Sequence, residues 1–334
     1  MDFEQIVRQM RPSVEVALKE TIDLVSEDPY APLRSMLAYH LGWEGEGAGV
    51  EAQGKRIRPL LTLLSAAALG ADWQAALPAA VGVELLHNFS LIHDDIQDQS
   101  PARRGRPTVW IKWGVPQAIN AGDLMFTLAY QALLKLTPAE VALASTQTLS
   151  QACIRLTEGQ FLDLSYETSR DLPLASYWLM IAGKTAALLA ACCEMGAIAA
   201  QADPTQCQAM HNFGLALGLA FQVEDDWLGI WGEPALTGKS VESDLVSGKK
   251  TLPVVYALGQ NEAFARRWHS GPVTPPEVPA LAALLADEGA AEFTRQEAQR
   301  LTGEAILAIE STGCSREGEA YLKDFTGELL RRRK

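Results

Sequence analysis

The sequence predicts an all-α protein, and three observations carry that expectation. Apolar residues recur at three- and four-residue spacing along nearly the whole chain; alternating β-branched runs bounded by turn residues are missing; and 48% of the 334 residues are hydrophobic, ample for a buried core. No repeat of solenoid period is apparent and no interior linker separates two cores, so one domain is expected over residues 1–334. The balance of 28 basic against 41 acidic residues, a net charge of -13, argues against a nucleic-acid partner, because phosphate-backbone binding needs a positive field over a face. Five cysteines (Cys153, Cys192, Cys193, Cys207, Cys314) show no Cys-x-x-Cys spacing. That points away from zinc and from a disulfide framework, and toward a reducing cytoplasm. The start, Met1-Asp-Phe-Glu-Gln-Ile-Val-Arg, is acidic at once and lacks an apolar signal-type segment, so no export is expected.

Taken in order, residues 3 to 25 read as an amphipathic helix with Ile6, Val7, Met10, Val14, Ala17, Leu18, Ile22 and Val25 on one face, and Pro12 is expected to kink it or delay its start. Gly42 to Gly54 is too glycine-rich for a helix interior and reads as a mobile loop. Gly54-Lys-Arg-Ile-Arg-Pro59 then opens an apolar helix, Leu60 to Leu69. Two readings fit this hexapeptide: an anion site made by Lys55, Arg58 and the free amides of a helix start, or a solvated helix terminus. Pro78 to Asp98 reads as one long helix with its proline in the first turn. Pro107 and Pro116 interrupt the pattern, which resumes over Gln117 to Lys135 and again over 139 to 164. Leu179 to Ala200 approaches membrane-spanning length, but Lys184 and Glu194 interrupt it, so a buried helix is expected and no integral membrane segment. Ala209 to Ile230 is the next helix; a lysine-bearing loop follows to Lys250, and another helix starts at Thr251. Trp268 to Pro279 reads as a Pro-rich linker, 280 to 331 as short helices, and Arg331 to Lys334 as a solvated tail.

Chemistry concentrates in two acidic clusters. In Leu91-Ile-His-Asp-Asp-Ile-Gln-Asp98, a helix places Asp94 and Asp98 one turn apart on one face while Asp95 points elsewhere. Two carboxylates in one small volume repel unless cations sit between them, and hard oxygen ligands suit Mg²⁺ completed by water and phosphate oxygens. Arg103 and Arg104 follow with planar forks for phosphate. His87 lies two turns before Asp94, nearly in line with it, which leaves open a packed histidine or a phosphate donor. The second cluster, Phe221-Gln-Val-Glu-Asp-Asp226, lies in an otherwise apolar helix, and Gly183-Lys-Thr185 places a lone lysine in an apolar run where its ammonium needs a partner. Lys239, Lys249 and Lys250 stand on a loop able to close over an anion. All converge on diphosphate held by several Mg²⁺ ions.

With these motifs the chain resembles the trans-isoprenyl diphosphate synthases, the polyprenyl synthetase family, from about residue 50 to about residue 260. The matching runs, in the family's order, are Gly-Lys-x-x-Arg-Pro, Asp-Asp-x-x-Asp with Arg-Arg-Gly-x-Pro-Thr, Gly-Lys-Thr, Phe-Gln-x-x-Asp-Asp, and Asp-Leu-x-x-Gly-Lys-x-Thr-Leu-Pro. The resemblance implies a bundle of long helices around a central cavity, the isoprenoid synthase type, and a homodimer. It implies condensation of isopentenyl diphosphate with an allylic diphosphate, with three Mg²⁺ ions. On this resemblance Asp94, Asp98 and Asp225 ligate metal. Arg103, Lys184, Lys239 and Lys249 hold the allylic diphosphate, and Lys55, Arg58, His87 and Arg104 hold isopentenyl diphosphate. Thr185 and Gln222 place oxygens near the developing cation. Phe89 and Ser90, the fifth and fourth positions before Asp94, correspond to the floor that limits chain length. One aromatic at the fifth position resembles geranylgeranyl (C20) synthases, with farnesyl or geranylfarnesyl products as alternatives; a terpene cyclase or a non-catalytic partner subunit are the readings of another class. One departure stands out. The family's second motif usually continues to an aspartate one turn after Asp225, where this chain has Gly229; that last carboxylate is read as dispensable, with a third metal held more weakly as the alternative.

Overall fold

The computed structural model describes residues 2–26, 28–232 and 243–330. Lys239 and the terminal Arg331 to Lys334 therefore lie outside the described residues. Of the described residues 78% are helical, and β-structure among them is confined to a two-residue hairpin pairing Ala102–Arg103 with Arg106–Pro107, as the periodicity predicts. Two compact units are distinguished: Met1–Ser150 with Cys192–Cys207 and Cys314–Leu322, and Gln151–Ala191 with Gln208–Gly313 and Lys323–Lys334.

In the first unit, helix α1 (Phe3–Ile22) starts in a capping box, in which Asp2 accepts from the Gln5 amide and Gln5 reaches back, and it buries Phe3, Ile6, Met10, Val14, Leu18 and Ile22. Pro12 sits inside this helix and does not delay its start. Helix α2 (Ala31–His40) was not anticipated, because its buried residues Met36 to Tyr39 are contiguous rather than periodic. The Gly42 to Gly54 stretch, expected as a mobile loop, is instead tied down. Buried Arg106 donates to the carbonyls of Tyr39 (2.8 Å) and Glu46 (2.9 Å) as well as Glu44, and Val50–Gln53 closes a helical turn, α3. One five-donor guanidinium thus satisfies backbone that the glycines leave without regular structure.

Helix α4 (Ile57–Ala68) is followed by α5 (Leu77–Gln97), a short α6 (Val109–Trp113) where only a break was expected, and α7 (Val115–Leu133). Helices α5 and α7 pack closely and antiparallel, because each puts a glycine where the other crosses: Gly82 lies against Ala129 and Leu133, and Gly122 against the His93 ring. Helix α8 (Ala139–Glu167) follows.

The second unit contains α9 (Leu174–Ile181), which passes through a π-helical turn (Ala182–Ala186) into α10 (Ala187–Ala199), a helix whose residues from Cys192 belong to the first unit. It is completed around α11 (Pro204–Trp231), α12 (Ser243–Val246) and α13 (Leu252–Gln260). Tyr177, Met180, Ile181, Val223, Leu252, Val255 and Leu301 form one buried cluster, each large side chain stabilising by about 1.5–3 kcal/mol relative to exposure. The stretch from Trp268 to Pro279 is not a linker. Following α14 (Ala263–His269), it is clamped by Arg267, which donates to both oxygens of Glu277 (2.8 and 2.7 Å) and to the carbonyls of Gly271 and Pro272, while Val273 and Val278 enter a core cluster. The C-terminal helices are also longer than expected: α15 (Val278–Asp287), α16 (Ala290–Glu310) and α17 (Arg316–Leu330). By length and composition Trp73–Gln97 and Leu174–Ala199 pass as membrane spans, but 67% and 72% of their apolar windows are buried within the protein, as for core helices.

Candidate active site

Asp94 and Asp98 occupy the last turn and the C-cap of α5, with Asp94 half-buried and Asp98 exposed. Carboxylates at a helix C-terminus face the negative end of the macrodipole, where cations are favoured. Asp95 points away, as predicted, into a buried position where the Arg103 fork closes on it: Nε lies 2.9 and 3.0 Å from the two carboxylate oxygens and Nη2 lies 2.8 Å from Oδ1. Burial pushes the Asp95 carboxyl up, and Arg103 opposes that shift. Arg103, expected on the allylic diphosphate, also ties the hairpin to the end of α5 through this pair.

The other basic residues of this unit divide in two. Lys55 is exposed and Arg58 half-buried, with Arg58 Nη1 3.0 Å from His87 Nε2. Burial and the charges of Arg58 and Arg104 hold His87 well below the usual imidazole range. The ring is therefore neutral, Nε2 accepts from Arg58, and the proton stands on Nδ1. Arg104, with φ 52°, donates Nη1 to the carbonyls of Ala52 (2.9 Å) and Gln53 (3.0 Å), which binds it to the segment just before Lys55. Arg56 stands between Lys55 and Arg58 in the same basic run. It is a buried strut, bonded to Glu15 (2.6 Å) and Glu84 (2.8 Å) and donating to the Leu41 carbonyl. With Arg56 and Glu84 each 3% exposed, Glu84 is consumed by this pair rather than turned toward the acidic motif. A charge pattern alone carries no signal that separates such a strut from a ligand-facing arginine.

In the second unit Lys184 stands in the π turn and its ammonium is bonded to Asp163 of α8, the partner that its apolar surroundings require. Thr185 donates Oγ1 to Gln222 Oε1 (2.6 Å), and Gln222 donates Nε2 to Asp226 Oδ1 (2.9 Å). The amide oxygen of Gln222 is thereby oriented to the Thr185 side. Asp226, which sequence reasoning did not single out, anchors this relay: its Oδ2 accepts from Tyr177 (2.7 Å) and from the Leu252 amide at the start of α13 (2.8 Å). Asp225, the predicted ligand, is half-buried next to it, and Lys249 is half-buried beyond α12.

Burial raises the Asp226 carboxyl to about 7 against the pull of its three donors. A folded-state pKa above the unfolded value of about 3.9 gives a contribution that is full below that value and lost as pH rises through about 7. Thermal unfolding from pH 5 to 8 is therefore expected to show a decline in wild type that is flatter in Asp226→Asn; parallel curves would contradict it.

The carboxylates fit a hard divalent cation in donor type. Both acidic clusters lie near helix C-termini, and among the described residues no group of three or more His, Cys, Asp or Glu side chains forms a ready-made cage. Hard carboxylate oxygens suit an ion that completes its coordination with water and phosphate oxygens.

A family model described as polyprenyl synthetase matches residues 48–270. The (2E,6E)-farnesyl diphosphate synthase of Mycobacterium tuberculosis is 40% identical, covering 99% of this chain and 96% of that protein. The geranylgeranyl diphosphate synthase of the same organism is 45% identical over 70% of this chain and 67% of its own length. Among solved structures, a polyprenyl synthetase from Streptomyces coelicolor superposes with a TM-score of 0.88 at 36% identity, covering 97% of this chain and 98% of that one.

Proposed function

Since the chain belongs to the polyprenyl synthetase family, we propose that it condenses isopentenyl diphosphate with an allylic diphosphate and stops at geranylgeranyl diphosphate (C20), using three Mg²⁺ ions. It is a trans-prenyl diphosphate synthase, of a family that works with divalent metal. Asp94, Asp98 and Asp225 are the residues to hold the ions, which when bound neutralise the leaving diphosphate. Lys184, Lys239 and Lys249 are assigned to the allylic diphosphate, with Arg103 contributing its charge from the Asp95 pair. Lys55, Arg58, His87 and Arg104 are assigned to isopentenyl diphosphate. In the reaction the allylic C–O bond breaks with its electron pair leaving on diphosphate. The alkene then attacks the cation, and a proton is lost to the departed diphosphate. Thr185 and Gln222 present oriented oxygen dipoles to developing positive charge.

The observation that carries the C20 reading is Phe89. Its ring packs edge-on to His93 (4.8 Å between centroids) and against Phe126 (5.2 Å), which leans on Tyr130 (5.1 Å). Ser90 is buried, its hydroxyl on the His87 carbonyl (2.8 Å), so Phe89 alone offers bulk as a floor, stiffened from behind by aromatic neighbours. Phe89→Ala is expected to shift the product to C25 or longer, read by mass spectrometry with isopentenyl diphosphate and C5 to C15 starters. An unchanged distribution would remove Phe89 from this role, and a C15 product from wild type would favour the farnesyl reading that the full-length relative suggests.

A cytoplasmic homodimer is the accompanying proposal. The five cysteines are free, and α8 exposes Leu143 (62%), Ile154 (52%) and Phe161 (67%) at spacings that share one stripe, in keeping with a covered face.

A further inference from the structure

Gly229 lies one turn after Asp225 on α11, the position at which a second carboxylate is missing. The space a side chain would take there is filled. A Cβ built on Gly229 would fall on Oδ2 of Asp244, with the Asp244 Cγ at 3.3 Å. Asp244 sits at the start of α12, where its carbonyl accepts from the Lys249 amide (3.0 Å) and from the Ser247 hydroxyl (3.2 Å), so its backbone is fixed by the turn that leads to Lys249.

We infer that Asp244 supplies the carboxylate that the second acidic motif lacks, placing an oxygen at the vacant Gly229 side-chain position so that Asp225 and Asp244 together form the cation-binding edge of α11. The inference rests on the prenyl-transfer reading of the site and goes beyond it by naming a ligand from another element. Glycine at 229 is then a requirement of this arrangement: any side chain there displaces Asp244. Hard carboxylate oxygens of this kind suit a divalent ion that carries diphosphate oxygens in its remaining positions.

The test is Mn²⁺ binding to the full-length protein in the presence of inorganic diphosphate, followed by electron paramagnetic resonance, for wild type, Asp244→Asn, Asp244→Ala, Gly229→Asp and the double variant Gly229→Asp/Asp244→Ala, with circular dichroism as the folding control. Asp244→Asn and Asp244→Ala are expected to weaken binding roughly tenfold or more, in the range for altered support of a metal site. The double variant is expected to regain most of that loss, because the new carboxylate enters the space Asp244 has left. Gly229→Asp alone is expected to bind no more tightly than wild type. Wild-type affinity in both Asp244 variants, or no recovery in the double variant, overturns the assignment while leaving the prenyl-transfer reading intact. Wild type that binds no Mn²⁺ with diphosphate overturns both.

Discussion

Asp94→Ala is expected to lower turnover about a thousandfold or more, equivalent to roughly 4 kcal/mol of barrier, with little change in folding stability. Asp94 stands in the last turn of α5, half-buried, where the helix dipole opposes a carboxylate. Its removal takes a carboxylate out of the first acidic motif, and the loss in turnover falls on whatever cation that charge holds. Asp95 makes the opposite case one residue later: it is buried and its oxygens carry the Arg103 fork, so Asp95→Ala should depress the melting temperature as well as activity, by leaving part of a buried pair uncompensated. Steady-state kinetics at saturating Mg²⁺ and thermal unfolding of the two variants separate these roles. Near-normal turnover of Asp94→Ala would remove it from the metal site.

That contrast marks what was legible in the sequence. Helices α1, α4, α5, α7 and α11 announce themselves because a 3.6-residue period repeats over several turns, and the Asp94/Asp98 pair follows from the same geometry. Partner choice does not follow from it. Arg56 and Arg103 stand in basic runs whose composition does not tell that Arg56 bonds Glu15 and Glu84 or that Arg103 pairs with Asp95, and nothing local marks Arg106 as the residue that holds backbone carbonyls of the glycine-rich stretch. The Pro-rich run after Trp268 has linker composition, but Arg267 and Glu277 close it into a core. Asp244 was visible within the Asp-Leu-x-x-Gly-Lys run, whereas its place over Gly229 depends on a return of the chain that no local pattern encodes.

Gly159→Ala is expected to cost about 3 kcal/mol of stability and to reduce turnover by roughly a hundredfold in the fraction that folds. Gly159 of α8 meets the π turn so closely that a Cβ would fall on the backbone nitrogen of Lys184, with Gly183 C and Lys184 Cα at 2.7 Å; on the facing side a Cβ at Gly183 would come within 2.5 Å of the Arg155 carbonyl. These neighbours are backbone, so no rotamer change relieves the clash and the two segments must separate. Overpacking in a tight core typically costs 1–3 kcal/mol, and the rigid contact places this site at the upper end. Separation also moves Lys184 off Asp163 and Thr185 off Gln222, whose 2.6 Å bond orients the amide oxygen. Gly303→Ala is the matched control. It lies on α16 with nothing within 4 Å of its added Cβ, so alanine there should be neutral or stabilising by up to about 1 kcal/mol. Urea denaturation paired with single-turnover kinetics reads both effects. Wild-type stability and turnover in Gly159→Ala would show that the close approach of α8 does not hold Lys184 and Thr185 in place.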